Sequence, residues 1–111
     1  MSNSLGQKLV RMRVGEQVSI LIGSNEYVGD VIEIEREKCD LVSGFMEEGY
    51  IEICLNLHPE TVTRQNISKE YLIISATEDT PNDFASPTAS LYDKNADQLM
   101  NHLGEVTEVN S

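Results

Sequence analysis

The sequence predicts a mainly β fold, a small five- or six-stranded antiparallel barrel with a short C-terminal helix. Three observations carry that prediction. Between Tyr27 and Leu57 apolar residues alternate with charged ones at the two-residue period of a half-buried strand. With 40% hydrophobic residues, 5% aromatics and no Trp, the core must be built from Ile, Leu and Val, which favour strands. Short runs rich in Gly, Asn, Ser and Pro separate the alternating stretches, as tight turns do. A chain of 111 residues is one small domain's worth. Within it, residues 1–77 are expected to form the barrel, and residues 78–111 an acidic extension with a linker and a short docked helix.

The chain opens as a polar tail and becomes amphipathic at Leu9-Val10-Arg11-Met12-Arg13-Val14, whose alternation predicts a short strand with a basic face. Gly15-Glu16-Gln17 is a turn. Val18-Ser19-Ile20-Leu21-Ile22 is a strand with Val18, Ile20 and Ile22 on its buried side. Gly23-Ser24-Asn25-Glu26 supplies turn residues before Tyr27, so these two strands should form a hairpin. In Val31-Ile32-Glu33-Ile34-Glu35 one extra apolar residue breaks the alternation just after Gly29, which predicts a bulge that lets Val31 and Ile32 both find cover.

From about residue 14 to 77, the order of strand, short loop and Tyr27-x-Gly29-x-Val31 on a bent second strand resembles Sm-like and SH3-like small barrels. The family's apolar-x-Gly-x-apolar pattern curves a strand around the barrel, where glycine suits the bend because it has no side chain to clash. An Sm-like protein would also carry an Ile-Arg-Gly-like segment that holds RNA bases. Here the corresponding stretch is Thr63-Arg64-Gln65-Asn66-Ile67, without the Arg-Gly pair. The resemblance therefore implies a shape and carries over no RNA-binding residue.

Beyond the charged turn at Arg36-Glu37-Lys38, Cys39-Asp40-Leu41-Val42 reads as a short strand or as the end of the previous one. Ser43 to Gly49 reads as a loop bracketed by glycines, with Phe45 and Met46 at its tip. There they either fold back over the open end of the barrel, the simpler expectation, or make adaptable contacts with a partner. Ile51-Glu52-Ile53-Cys54-Leu55-Asn56-Leu57 is the central strand, with Ile51, Ile53, Leu55 and Leu57 on one face. Pro59 ends it, Thr61–Gln65 suits an edge strand, Asn66–Glu70 a single helical or 3₁₀ turn, and Tyr71–Thr77 the last barrel strand. Composition shifts at Glu78 toward Asp, Thr, Pro, Asn and Ser, which marks a linker as far as Pro87. Thr88–Tyr92 can be extended. Asn95–Leu103 puts Ala96, Leu99, Met100 and Leu103 on one helical face, with Gly104 as a stop, and Glu105–Val109 alternates like a strand.

The formal charge is -11, distributed as +3 over residues 1–14, -8 over 15–77 and -6 over 78–111. So acidic a surface repels phosphate, which disfavours nucleic acid as a partner, and it fits adaptation to a high-salt cytosol. No run approaches the roughly 18 apolar residues of a membrane span, and Met1-Ser2-Asn3-Ser4 lacks a signal pattern, so the expected location is cytoplasmic with no membrane partner. Cys39 and Cys54, with His58 and His102, are too sparse for a zinc site. Glu33, Glu35 and Glu37 read as a solvated strand face. No phosphate loop, nucleophile turn or cofactor motif is present.

These readings converge on a non-enzymatic small-barrel interaction module that binds another protein or self-associates. Phe45 and Met46, with Leu99, Met100 and Leu103 on the expected helix, are its candidate contacts. The alternative is an Sm-like nucleic-acid-binding protein of a high-salt cytosol, with Lys8, Arg11 and Arg13 as phosphate contacts.

Overall fold

The computed structural model describes residues 4–67, 70–80, 83–92 and 101–110. The expected β class holds: an antiparallel sheet curls into a half-barrel, with few helices. Strand β1 (Gln17–Ile22) and β2 (Asn25–Glu37) form the expected hairpin, turning at Gly23-Ser24, where Gly23 has a φ of 66°. A first central residue with positive φ is what a two-residue turn compatible with strand twist requires. Strands β3 (Asp40–Val42) and β4 (Phe45–Glu47) form a separate two-stranded sheet. The chain continues through β5 (Gly49–Leu57), β6 (Tyr71–Thr80), β7 (Asp83–Phe84), β8 (Thr88–Tyr92), β9 (Asn101–Glu105) and β10 (Glu108–Asn110). The main sheet runs β10-β1-β2-β5-β6-β8-β9, with β7 paired to β6. That path has more strands than the five or six expected.

Alternation places the core. Ile51, Ile53, Leu55 and Leu57 of β5 all face inward, against Val18 and Ile20 of β1, Tyr27 and Val31 of β2, and Leu72 and Ile74 of β6. Gly29 pairs with Leu57, and a Cβ there would lie 2.7 Å from the Asn56 carbonyl oxygen, so glycine lets β2 pass close to β5 where the sheet bends. The predicted bulge is present between Val31 and Glu33. It does not cover both apolar residues: Val31 is buried and Ile32 is 45% exposed, because the extra residue is turned out of the ladder.

Two elements differ from expectation because a helical period outweighs a short β-like composition. The first is helix α1 (Ser4–Arg11), where a strand over Leu9–Val14 was expected. Leu5, Leu9 and Met12, spaced four and three apart, lie on one face, and Leu9 and Met12 are buried while Val10 and Val14 are exposed. The second is helix α2 (Pro59–Arg64), where an edge strand was expected. Pro59 sits at its first position, Glu60 in its first turn, Arg64 in its last, and Asn66 follows in the left-handed region at φ 52°. Thr61 is buried and its Oγ1 accepts the Val28 N–H at 3.1 Å, which ties α2 to β2.

The C-terminal part of the described chain is strand, not helix. β6 runs on to Thr80, through the start of the expected linker, and β8 pairs with it from Tyr71↔Tyr92 to Ser75↔Thr88. Residues 101–103, expected at the end of a helix, belong to β9, and residues 95–100 lie outside the described residues. β9 pairs β8, and after the step at Val106-Thr107 β10 pairs β1. One continuous stretch thus serves both margins of the half-barrel, with Val106 and Val109 buried. Among the described residues, no helix is long and apolar enough to cross a membrane.

Candidate functional site

The β3–β4 hairpin is the most exposed part of the described structure. Every residue from Asp40 to Glu48 is exposed, including Leu41 at 64%, Val42 at 42%, Phe45 at 76% and Met46 at 44%. The expectation that Phe45 and Met46 fold back over the barrel is therefore overturned. What was read as a loop is a hairpin, because Ser43 and Gly44 both take positive φ, 53° and 85°, as a two-residue primed turn demands. Its register pairs Val42 with Phe45, Leu41 with Met46 and Asp40 with Glu47. Leu41 and Met46 consequently share one face, and Val42, Phe45, Asp40 and Glu47 share the other. An apolar pair stands on each side of a ribbon that no other strand among the described residues joins.

The root of this arm is anchored. Glu78 is buried at the end of the β5–β6 ladder; its Oε1 accepts the Cys39 N–H at 3.0 Å and its Oε2 accepts Arg36 Nη2 at 3.3 Å. Arg36 also lies over the Phe84 ring, 5.4 Å from its centroid, and Phe84 packs against Gly6 of α1. Gly49 faces the strand exit so closely that a Cβ would overlap the Glu37 carbonyl oxygen and the Cys39 nitrogen. The arm thus leaves a fixed base. Nothing in the local sequence marks Glu78 as this anchor, since it comes from a strand about forty residues away.

The other candidates are scattered. Lys8 and Arg11 border a groove of about 260 Å³ with Met12, Glu16, Val109 and Asn110, and Lys8 Nζ donates to the Val109 carbonyl at 3.0 Å. Arg13 is exposed beyond the helix, where its backbone N–H donates to Glu16. Leu103 is half-buried on β9 and packs against the core; Leu99 and Met100 lie outside the described residues. The structure therefore does not bring Leu103 to the arm.

On the outer face Glu35 stands opposite Glu52, and Glu33 opposite Cys54. Burial, then the charges of Glu33 and Glu52, push the Cys54 thiol up to about 11. Cys39 is also raised, by burial and then by Glu78, and both cysteines are free thiols. Neither is activated for nucleophilic attack, which needs the thiolate. Ser90 Oγ and His102 Nδ1 lie 3.1 Å apart as cross-strand neighbours; among the described residues no acid holds the other ring nitrogen. Among the described residues no group of His, Cys, Asp and Glu gathers closely enough to hold a metal ion.

Fold and surface together define a small antiparallel half-barrel that carries a projecting apolar hairpin. Comparison with protein-family models, with curated proteins and with solved structures finds no match for this chain.

Proposed function

We propose that this chain is a non-enzymatic interaction module that binds another protein through the β3–β4 arm. The observation that supports this reading is the exposure of Leu41, Val42, Phe45 and Met46 on both faces of one hairpin. A two-stranded ribbon is at best marginally stable alone, and large apolar side chains left in water contribute nothing to it. Held at a fixed root and covered by a partner, the same residues become a compact contact surface. The nucleic-acid alternative rests on Lys8, Arg11 and Arg13, and it is weakened by Glu16 in the wall of their groove and by the commitment of Lys8 to a backbone carbonyl. Single-strand binders need a basic track with stacking aromatics, and among the described residues none of these three cations lies over an aromatic ring.

A photo-crosslinking residue placed at position 45, with position 60 as the exposed control, tests the reading in lysate and then with the purified adduct protein. The expected result is one discrete protein adduct from position 45, and binding of that purified partner to the chain without the crosslinker, lost when Phe45 and Met46 are both changed to Ser. Equal adducts from both positions, unchanged binding by the double variant, or tight binding of mixed-sequence RNA or DNA in near-physiological salt would overturn it.

A further inference from the structure

In an antiparallel ladder, residues flanking a two-residue turn exchange hydrogen bonds and the next pair does not. Val42 and Phe45 are the bonded pair here, so the backbone groups of Leu41 and Met46 point outward from the two edges of the arm. The edges are not equivalent. The Leu41 N–H is taken by the Asp40 carboxylate at 2.8 Å, whereas the Met46 N–H and C=O find no partner among the described residues. β6 pairs with β5 only as far as Gly49↔Glu78 and beyond that with β7, so that among the described residues no strand covers the β4 edge.

A second, independent observation concerns charge. Asp40 and Glu47 are directly opposite each other on the arm, and like charges so placed are destabilising. Among the described residues no cation pairs with either carboxylate. Glu37 and Glu48 add to the negative field around the root, against Lys38, since the charge of Arg36 is met by Glu78.

Building on the interaction reading above, we propose that the β4 edge receives an extended cationic segment of a partner protein as a third strand. The added strand takes up the Met46 N–H and C=O, lays apolar side chains against Met46 on one face, and on the other sets Lys or Arg beside Glu47 with their stems along Phe45. Main-chain bonds supply attachment and the alternate side chains supply selectivity, as in strand addition generally. A third strand is also what a marginal two-stranded ribbon lacks. A second copy of this chain is disfavoured as the occupant, because two bodies of charge -11 repel.

Two capped eight-residue peptides, one alternating Val with Lys and one alternating Val with Glu, serve as probes, with hydrogen exchange and chemical shifts read on the isotope-labelled chain. Expected is at least a tenfold slowing of Met46 amide exchange by the Lys peptide, with shifts confined to residues 40–48 and binding that weakens in salt. Asp40→Asn with Glu47→Gln should weaken binding at least tenfold, and Met46→Pro, which removes the outward donor, should abolish it. Equal binding of both peptides, or a response centred on Glu33, Glu35 and Glu52, would overturn the inference. So would a response of the arm to phosphatidylcholine vesicles and to neither peptide, which would assign it to lipid. If the partner found by crosslinking contacts position 45 while the Met46 amide exchanges freely, strand addition fails and the interaction reading stands.

Discussion

Glu78 and Arg36 form a largely buried ion pair at the root of the arm: Oε2 to Nη2 is 3.3 Å, with the Glu78 side chain 3% exposed and that of Arg36 23%. The same carboxylate holds the backbone of Cys39, so the pair joins β2, β6 and the start of the hairpin. Arg36 Nε is buried without a hydrogen-bond partner among the described residues, one of the costs of placing a guanidinium there.

Removing one member of such a pair leaves the other charge buried. Arg36→Met is expected to cost about 3–5 kcal/mol, while Arg36→Met combined with Glu78→Leu should cost less than the two single changes added together. Urea melts of the four proteins supply the cycle. Strict additivity would mean that the contact contributes no coupling.

The N-terminal helix makes a separate prediction. Leu9→Ala should cost about 2–5 kcal/mol and Val10→Ala no more than about 0.5 kcal/mol, because Leu9 is 1% exposed and Val10 36%. A strand with the expected register would reverse that order. Denaturant midpoints decide between them.

For the central strand, Ile53→Ala should cost about 2–5 kcal/mol. Glu52→Ala should cost little, and can gain slightly, since Glu52 faces Glu35 across the ladder. Equal losses at the two positions would contradict the inward-outward assignment of β5.

Thermal midpoints should rise between low salt and molar NaCl. The chain carries -11, with like charges opposed at Glu35 and Glu52 and at Asp40 and Glu47. Glu35→Gln and Asp40→Asn should reduce the salt response if screening causes it. Strengthening of apolar burial by salt would leave it unchanged in those variants.

Cys54 predicts alkaline behaviour. Its folded-state value of about 11 lies above the ordinary 9.0, so the fold retains the proton that the unfolded chain releases. Its contribution to stability is full below pH 9 and is lost as pH rises from 9 to 11; Cys54→Ala should remove that part of the profile. In a Cys39→Ser background, the Cys54 thiolate at pH 8 should be roughly a hundredfold scarcer than that of an ordinary thiol. Slow alkylation by iodoacetamide, recovering upon unfolding, is the expected result.

Where many neighbours share one period, the sequence was readable. Ile51, Ile53, Leu55 and Leu57 alternate for long enough that only a strand buries them all, and Gly29 was legible as a bend, where a Cβ would crowd the Asn56 carbonyl oxygen. Short segments were not readable in this way. Leu9–Val14 satisfies a two-residue period and Leu5-Leu9-Met12 a helical one; the choice depends on which face meets the core. Thr61–Gln65 has strand-like composition, yet Pro59, Glu60 and Arg64 sit where a helix uses them, and the Thr61 hydroxyl is occupied by β2.

For the candidate site, Phe45 and Met46 were visible as an apolar pair between glycines, but their exposure was not. By itself the sequence determined the antiparallel β class, the hairpin of β1 with β2, the inward face of β5 and the acidic surface, all of which follow from local period and composition. Tertiary structure alone decided that Glu78 anchors Arg36 and Cys39, that the last described strands serve both margins of the sheet, and that the arm stands clear of the barrel. Those outcomes depend on contacts between segments far apart in the chain, whose free energies no local pattern contains.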